Sequence, residues 1–111
     1  AIMKRKPLTI AGGGLAGLSV AIGLAERGVP VRVVEAGRYP RHRVCGEFIS
    51  GVSPKTWDAL GIADVMAEAR RHQRVRWCAQ GRPFFEGELP EAALGMSRYA
   101  LDERLRCRLL E

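Results

Sequence analysis

The sequence predicts an α/β fold, a parallel three-layer sheet core around a βαβ unit, with a β-hairpin excursion. Three observations predict it. A short apolar run at 8–11 leads into Gly12-Gly13-Gly14-Leu15-Ala16-Gly17 and then an apolar-periodic stretch to Arg27. A second run, Val31-Arg32-Val33-Val34, closes on Glu35. Farther on, Val75, Trp77 and Ala79 alternate before Gln80-Gly81 and Pro83-Phe84-Phe85-Glu86, the pattern of strand, turn and strand.

Each piece of the first unit has a physical reason. Residues 8–11 are short and apolar, as a buried parallel strand requires. Gly12 permits a sharp turn out of the strand, Gly14 presents no Cβ to an approaching group, and Gly17 permits close packing of helix on sheet. Leu15, Leu18, Ile22 and Ala25 fall on one helical face. Gly28 stops the helix and Pro30 bars its continuation. The amides at such a helix start, Leu15, Ala16 and Gly17, have no intrahelical partners and sit at the positive end of the dipole. They suit a diphosphate. Glu35 at the end of the second strand can accept from ribose hydroxyls and would repel a 2′-phosphate. The pattern is therefore that of a Rossmann-like dinucleotide-binding unit, and these residues alone leave FAD and NAD both open. As a strand terminus, Glu35 is expected near solvent, where its removal affects binding and not folding.

Residues 36–51 read as a long loop carrying Arg38, Arg41, Arg43 and Cys45-Gly46-Glu47. Arginines beyond the acid lie on the ligand side of the sheet, and guanidinium pairs well with phosphate. Ser53-Pro54 has the form of an N-cap with proline at N1, starting a short helix through Leu60 that stops at Gly61. A helical turn or two follows over 64–69. The stretch 70–76 holds four arginines and His72 ahead of the hairpin. Ser97 caps a last helix in which Leu101, Leu105 and Leu109 recur every fourth residue. Arg98 at that helix start opposes the dipole, which hints that it faces another group.

Composition narrows the function classes. The chain has 111 residues, 47% of them hydrophobic, and a net charge of +6. That suits one small domain with a core and is not a disordered composition. No apolar run approaches the ~20 residues of a membrane span. Three cysteines, odd in number and widely spaced, together with two histidines in no metal-ligand spacing, fit reduced thiols in the cytoplasm and no metal site. Fifteen of the 18 cations are arginine, which favours phosphate or carboxylate ligands. The 70–76 cluster raises nucleic acid as a partner, but no nucleic-acid motif accompanies it, and arginines also guard hairpin edges. The expectation is no nucleic acid. A binding module without catalysis is the main rival to an enzyme.

The glycine motif and Glu35, followed by Tyr39-Pro40-Arg41-His42-Arg43-Val44-Cys45-Gly46-Glu47, resemble the start of FAD-dependent oxidoreductases of the geranylgeranyl reductase type. Flavin-dependent halogenases carry a similar stretch from Pro-Arg to Gly-Glu. Both are branches of the p-hydroxybenzoate hydroxylase-like flavoproteins. Ser97-Arg98-Tyr99-x-Leu101-Asp102-x-x-Leu105 is similar to the helix start after the first hairpin in that group. The resemblance implies FAD as cofactor, held by Gly12, Gly14, Leu15, Ala16 and Gly17, with Glu35 and the adjacent Ala36 at the adenosine ribose. It places Arg41 or Arg43, and Arg98, along the diphosphate or ribityl chain, and Cys45, Gly46 and Glu47 near the isoalloxazine. It assigns no catalytic residue. It implies reduction of isoprenoid double bonds, with hydroxylation or halogenation next, NAD(P)H as a candidate reductant and an unidentified small-molecule substrate. Family members are several times longer and carry a later Gly-Asp motif absent here. Residues 1–111 are therefore expected to be the N-terminal part of an FAD-binding domain, catalytically incomplete alone and prone to self-association through an unpaired sheet edge.

Overall fold

The computed structural model describes residues 6–44 and 47–111. Strand β1 (Leu8–Ala11) pairs in parallel with β2 (Val31–Val34), and α1 (Leu15–Glu26) crosses between them. A three-stranded antiparallel sheet follows, in the order β3 (Phe48–Ile49), β5 (Arg82–Gly95), β4 (Arg70–Ala79). Helices α2 (Pro54–Leu60) and α3 (Ala63–Met66) lie between β3 and β4, and α4 (Arg98–Leu109) closes the chain.

The βαβ unit falls where the sequence placed it. Ile10 faces α1, while Thr9 and Arg32 are exposed and joined by an Arg32 Nη2–Thr9 Oγ1 hydrogen bond of 3.1 Å. Exposed Ala11 and Val34 extend that outer side, so helices cover one side of the parallel pair and not two as a three-layer core would have it. The short helices also hold. Pro54 begins α2 behind Ser53, although the Ser53 hydroxyl makes no cap bond and lies 3.4 Å from Thr56 Oγ1. Gly61 ends α2 at φ +74°, where any Cβ would be strained.

Two features depart from expectation. Phe48–Ile49 leaves the expected loop to pair with Leu94 and Gly95. The hairpin is also far longer than 75–86: β4 takes in the arginine-rich stretch, and β5 runs to Gly95. Gln80 and Gly81 both have positive φ, as a two-residue hairpin turn needs. Pro90 is tolerated because the register breaks between His72 and Arg74, where no ladder N–H is required of it.

The core is a set of helical faces brought together at the end of β5. Leu18 and Ile22 of α1, Ile62, Val65 and Met66 around α3, Leu94 of β5, and Leu101 and Leu105 of α4 form one buried cluster. Leu15 and Leu109 are half-buried and Ala25 is exposed. The α4 stripe is thus largely used up against α1 and α3, and is not an open apolar face.

Candidate functional site

The site is built around the turn from β1 into α1. Gly12 N–H donates to Val34 O at 2.7 Å, and Gly12 itself has φ +103°. Gly13 N–H donates to Glu35 Oε1 at 3.1 Å. These two amides hold the turn. The first N–H to close a helical bond is that of Leu18, to Gly14 O. The amides of Leu15, Ala16 and Gly17 lie ahead of it, Gly14 at the N-cap has no side chain to serve them, and the first turn contains no acid. They are the orphan donors of a helix start. They border an open cleft of about 550 Å³ lined by Gly12, Gly14, Leu15, Ala16, Gly17 and Arg98.

The glycines divide by function. A Cβ on Gly17 would press into the Gly12 carbonyl, 3.0 Å from its carbon and far closer to its oxygen. A Cβ on Gly13 would strike the Tyr39 hydroxyl. A Cβ on Gly14 would meet only side-chain ends, Arg98 Nη2 at 3.6 Å and Arg43 at 3.8 Å. Gly17 and Gly13 are thus packing glycines, and Gly14 opens toward two guanidinium groups.

Glu35 is not the solvent-facing terminus expected. It accepts from Gly13 N–H and from Gly37 N–H (2.6 Å), and pairs with Arg41 Nη2 at 3.1 Å and Arg43 Nη2 at 3.3 Å. The Gly37 and Gly13 amides, and then the two arginines, hold its carboxyl below the usual range. Its side chain therefore braces the glycine turn and anchors the loop that follows; Ala36 beside it is exposed. Cys45 and Gly46 lie outside the described residues.

Two groups were missed in the sequence. The Tyr39 hydroxyl donates to Gly13 O, and the Arg106 guanidinium stands 5.5 Å from the centre of its ring. Burial first, then the charges of Glu35 and Asp102, push the Tyr39 hydroxyl pKa up. Asp102 of α4 is only 1% exposed. It grips Arg98 in a two-point fork, Nε–Oδ1 2.8 Å and Nη2–Oδ2 3.0 Å, and its Oδ2 lies 3.3 Å from Arg43 Nε. Arg98 therefore does face another group, as its unfavourable place at the helix start hinted. Chemically the cleft offers unpaired amides, a helix dipole and guanidinium groups, a donor set suited to a diphosphate. Among the described residues no cluster of histidine, cysteine or carboxylate could hold a metal ion, and no helix is long and apolar enough to cross a membrane.

Residues 5–106 match the family described as the FAD binding domain. The chain is 28% identical over 106 residues to a menaquinone reductase of Mycolicibacterium smegmatis, covering 92% of this chain and 26% of that protein. Its fold superposes on the tetrameric form of 2-methyl-3-hydroxypyridine-5-carboxylic acid oxygenase with a TM-score of 0.80 at 23% identity, over 97% of this chain and 30% of that one. It also superposes on the myxobacterial chondrochloren halogenase, an FAD-dependent halogenase, with a TM-score of 0.62 at 25% identity, over 94% of this chain and 26% of that one. The chain thus spans between a quarter and a third of the length of these proteins.

Proposed function

The chain belongs to the FAD binding domain family, and from that premise we propose that it forms the diphosphate and adenosine end of the FAD site in an oxidoreductase that reduces isoprenoid double bonds. The observation that carries the cofactor site is the open cleft at the start of α1, with its unserved amides and Arg98 at its mouth. Leu15, Ala16 and Gly17 donate their amides to the diphosphate, and Gly12 and Gly14 keep the approach clear. Arg98 and Arg43 supply positive charge. Gly13, Gly37, Arg41 and Arg43 together take the four lone-pair sites of Glu35, so it serves the adenosine ribose by exchanging an arginine contact for a ribose hydroxyl, with Ala36 alongside. Arg41 neutralises Glu35 from the loop side. When bound, FAD supplies the redox chemistry, and the protein's part is to hold and orient it.

The menaquinone reductase similarity supports reduction over oxygenation, since its 28% identity exceeds the 23% and 25% of the two structural likenesses. A flavin monooxygenase or halogenase is the second reading, favoured by the structural likenesses. The deciding experiment uses the complete protein containing this segment, purified and reduced with NADPH or dithionite, and then given a geranylgeranyl substrate. Saturated product formed without oxygen supports the proposal. Product that requires oxygen, or oxygen and halide, replaces it with the second reading.

A further inference from the structure

Asp102 is the one buried charged side chain among the described residues. Burying a carboxylate is costly unless it is paired, and a well-packed apolar residue commonly serves stability as well or better. Stability alone is therefore a weak account of an acid lodged between Leu101 and Leu105, both fully buried. Its location suggests another. It holds Arg98 by both carboxylate oxygens and stands 3.3 Å from the buried Arg43 Nε as an ion pair without a hydrogen bond, while Arg43 extends its Nη2 to Glu35. The two guanidinium groups so held are the ones that approach the open side of Gly14 within 3.8 Å of where a Cβ would stand. Three arginines and two acids gather here (Arg41, Arg43, Arg98; Glu35, Asp102), which leaves a surplus of one positive charge.

We propose that Asp102 is the positioning residue of the diphosphate site: from within the core it fixes Arg43 and Arg98 over the start of α1. The proposal rests on the cofactor site assigned above. It makes a prediction opposite in sign to simple electrostatics. By charge alone, Asp102 weakens anion binding, because it cancels one of the cations. By geometry it strengthens binding, because free arginines lose rotamer freedom when they engage a ligand.

The test titrates inorganic pyrophosphate into the ¹⁵N-labelled 111-residue chain and follows the amides of residues 14–17 and the Nε–H signals of Arg43 and Arg98. In the unaltered chain both sets of signals shift. Asp102→Asn is expected to bind at least fivefold more weakly, with the Arg98 Nε–H signal moving into the envelope of exposed arginines. Asp64→Asn, which makes the same charge change at an exposed site, is expected to stay within twofold. Asp102→Leu packs apolar atoms into the same space and decides by the same criterion should the asparagine variant lose its amide dispersion. Asp102 variants that bind pyrophosphate as tightly as the unaltered chain, or more tightly, overturn the positioning role while leaving the cofactor site standing. An unaltered chain whose 14–17 amides do not respond overturns the cofactor site itself, and this proposal with it.

Discussion

Replacing Gly17 by alanine drives a methyl carbon into the Gly12 carbonyl, 3.0 Å from its carbon and well inside contact with its oxygen, with Ile10 Cγ2 at 3.4 Å behind it. The obstacle is backbone, and Gly12 is tied to Val34 by a 2.7 Å hydrogen bond, so no side chain can swing aside. The start of α1 must move, by on the order of 1 Å. Overpacking of this kind costs about 1–3 kcal/mol, and the rigid carbonyl puts it at the upper end. Alanine's better helix propensity returns about 1 kcal/mol. The net expectation is a loss of about 2 kcal/mol, read as a lower midpoint in urea unfolding at unchanged slope. Gly14→Val is the counterpart. Its Cβ meets only guanidinium ends at 3.6 and 3.8 Å, so the helical signal persists, while the approach to the α1 amides closes and FAD retention by the complete protein is lost. Gly17→Ala as stable as the unaltered chain, or a Gly14→Val protein that stays yellow, refutes this division between a packing and an opening glycine.

Other outcomes follow from the same structure. The Glu35 carboxyl has a lowered pKa, so its stabilising effect is complete above the ordinary Glu value of about 4.3 and is lost as pH falls through the lower folded value. Urea midpoints of the unaltered chain and Glu35→Gln should differ at pH 7 and converge in acid; a gap independent of pH would assign the effect to something other than this charge. Leu105→Ala empties a fully buried site and should cost about 2–5 kcal/mol in the same assay, against little for the exposed Leu110. The purified 111-residue chain should be colourless and heavier than a monomer by light scattering, since Leu8 and Val34 on the parallel pair are half exposed or more. A stable yellow monomer would show a self-sufficient flavin domain.

The βαβ unit was legible because its signals are local. A glycine turn, a helical period and a Gly28-Pro30 stop all lie within the reach of short-range geometry. The same holds for Ser97, whose hydroxyl accepts from Ala100 N–H at 3.1 Å. The second half of β5 was not legible. Gly87, Pro90 and the acids at 88 and 91 are poor strand formers, and they are extended because Gly87 and Glu88 pair with Val75 and Arg74 and because the residues beyond Pro90 pair with β4 and β3. Phe48–Ile49 is two residues long and has no pattern to detect; partners Leu94 and Gly95 make it a strand. At the site, residue types were readable and their partners were not. Arg98 was suspect from its place at a helix start, but nothing local distinguishes Asp102 from a surface acid. Tertiary packing buries it, with Arg43 of the loop and Arg98 of α4 against its carboxylate.

Glu35, proposed above to meet the adenosine ribose, is in this structure a bracing residue. Its two oxygens receive the Gly13 amide from the turn and the Gly37 amide from the following loop, so one side chain joins segments 22 residues apart on one side and two on the other. Tyr39 closes the same turn from its carbonyl side, and Arg106 of α4 covers the Tyr39 ring. Gly13 is thus held at both its N–H and its C=O by side chains from residues 35 and 39. The shape of the glycine turn is therefore set by the loop beyond β2 as well as by the glycines. The loop's arginines in turn are placed by the acid that follows β2 and by one of α4, Arg41 by Glu35 and Arg43 by Glu35 and Asp102 together. Turn and loop are one cooperative unit, so a change that loosens residues 36–44 should weaken anion binding at the α1 amides without touching any atom of the cleft.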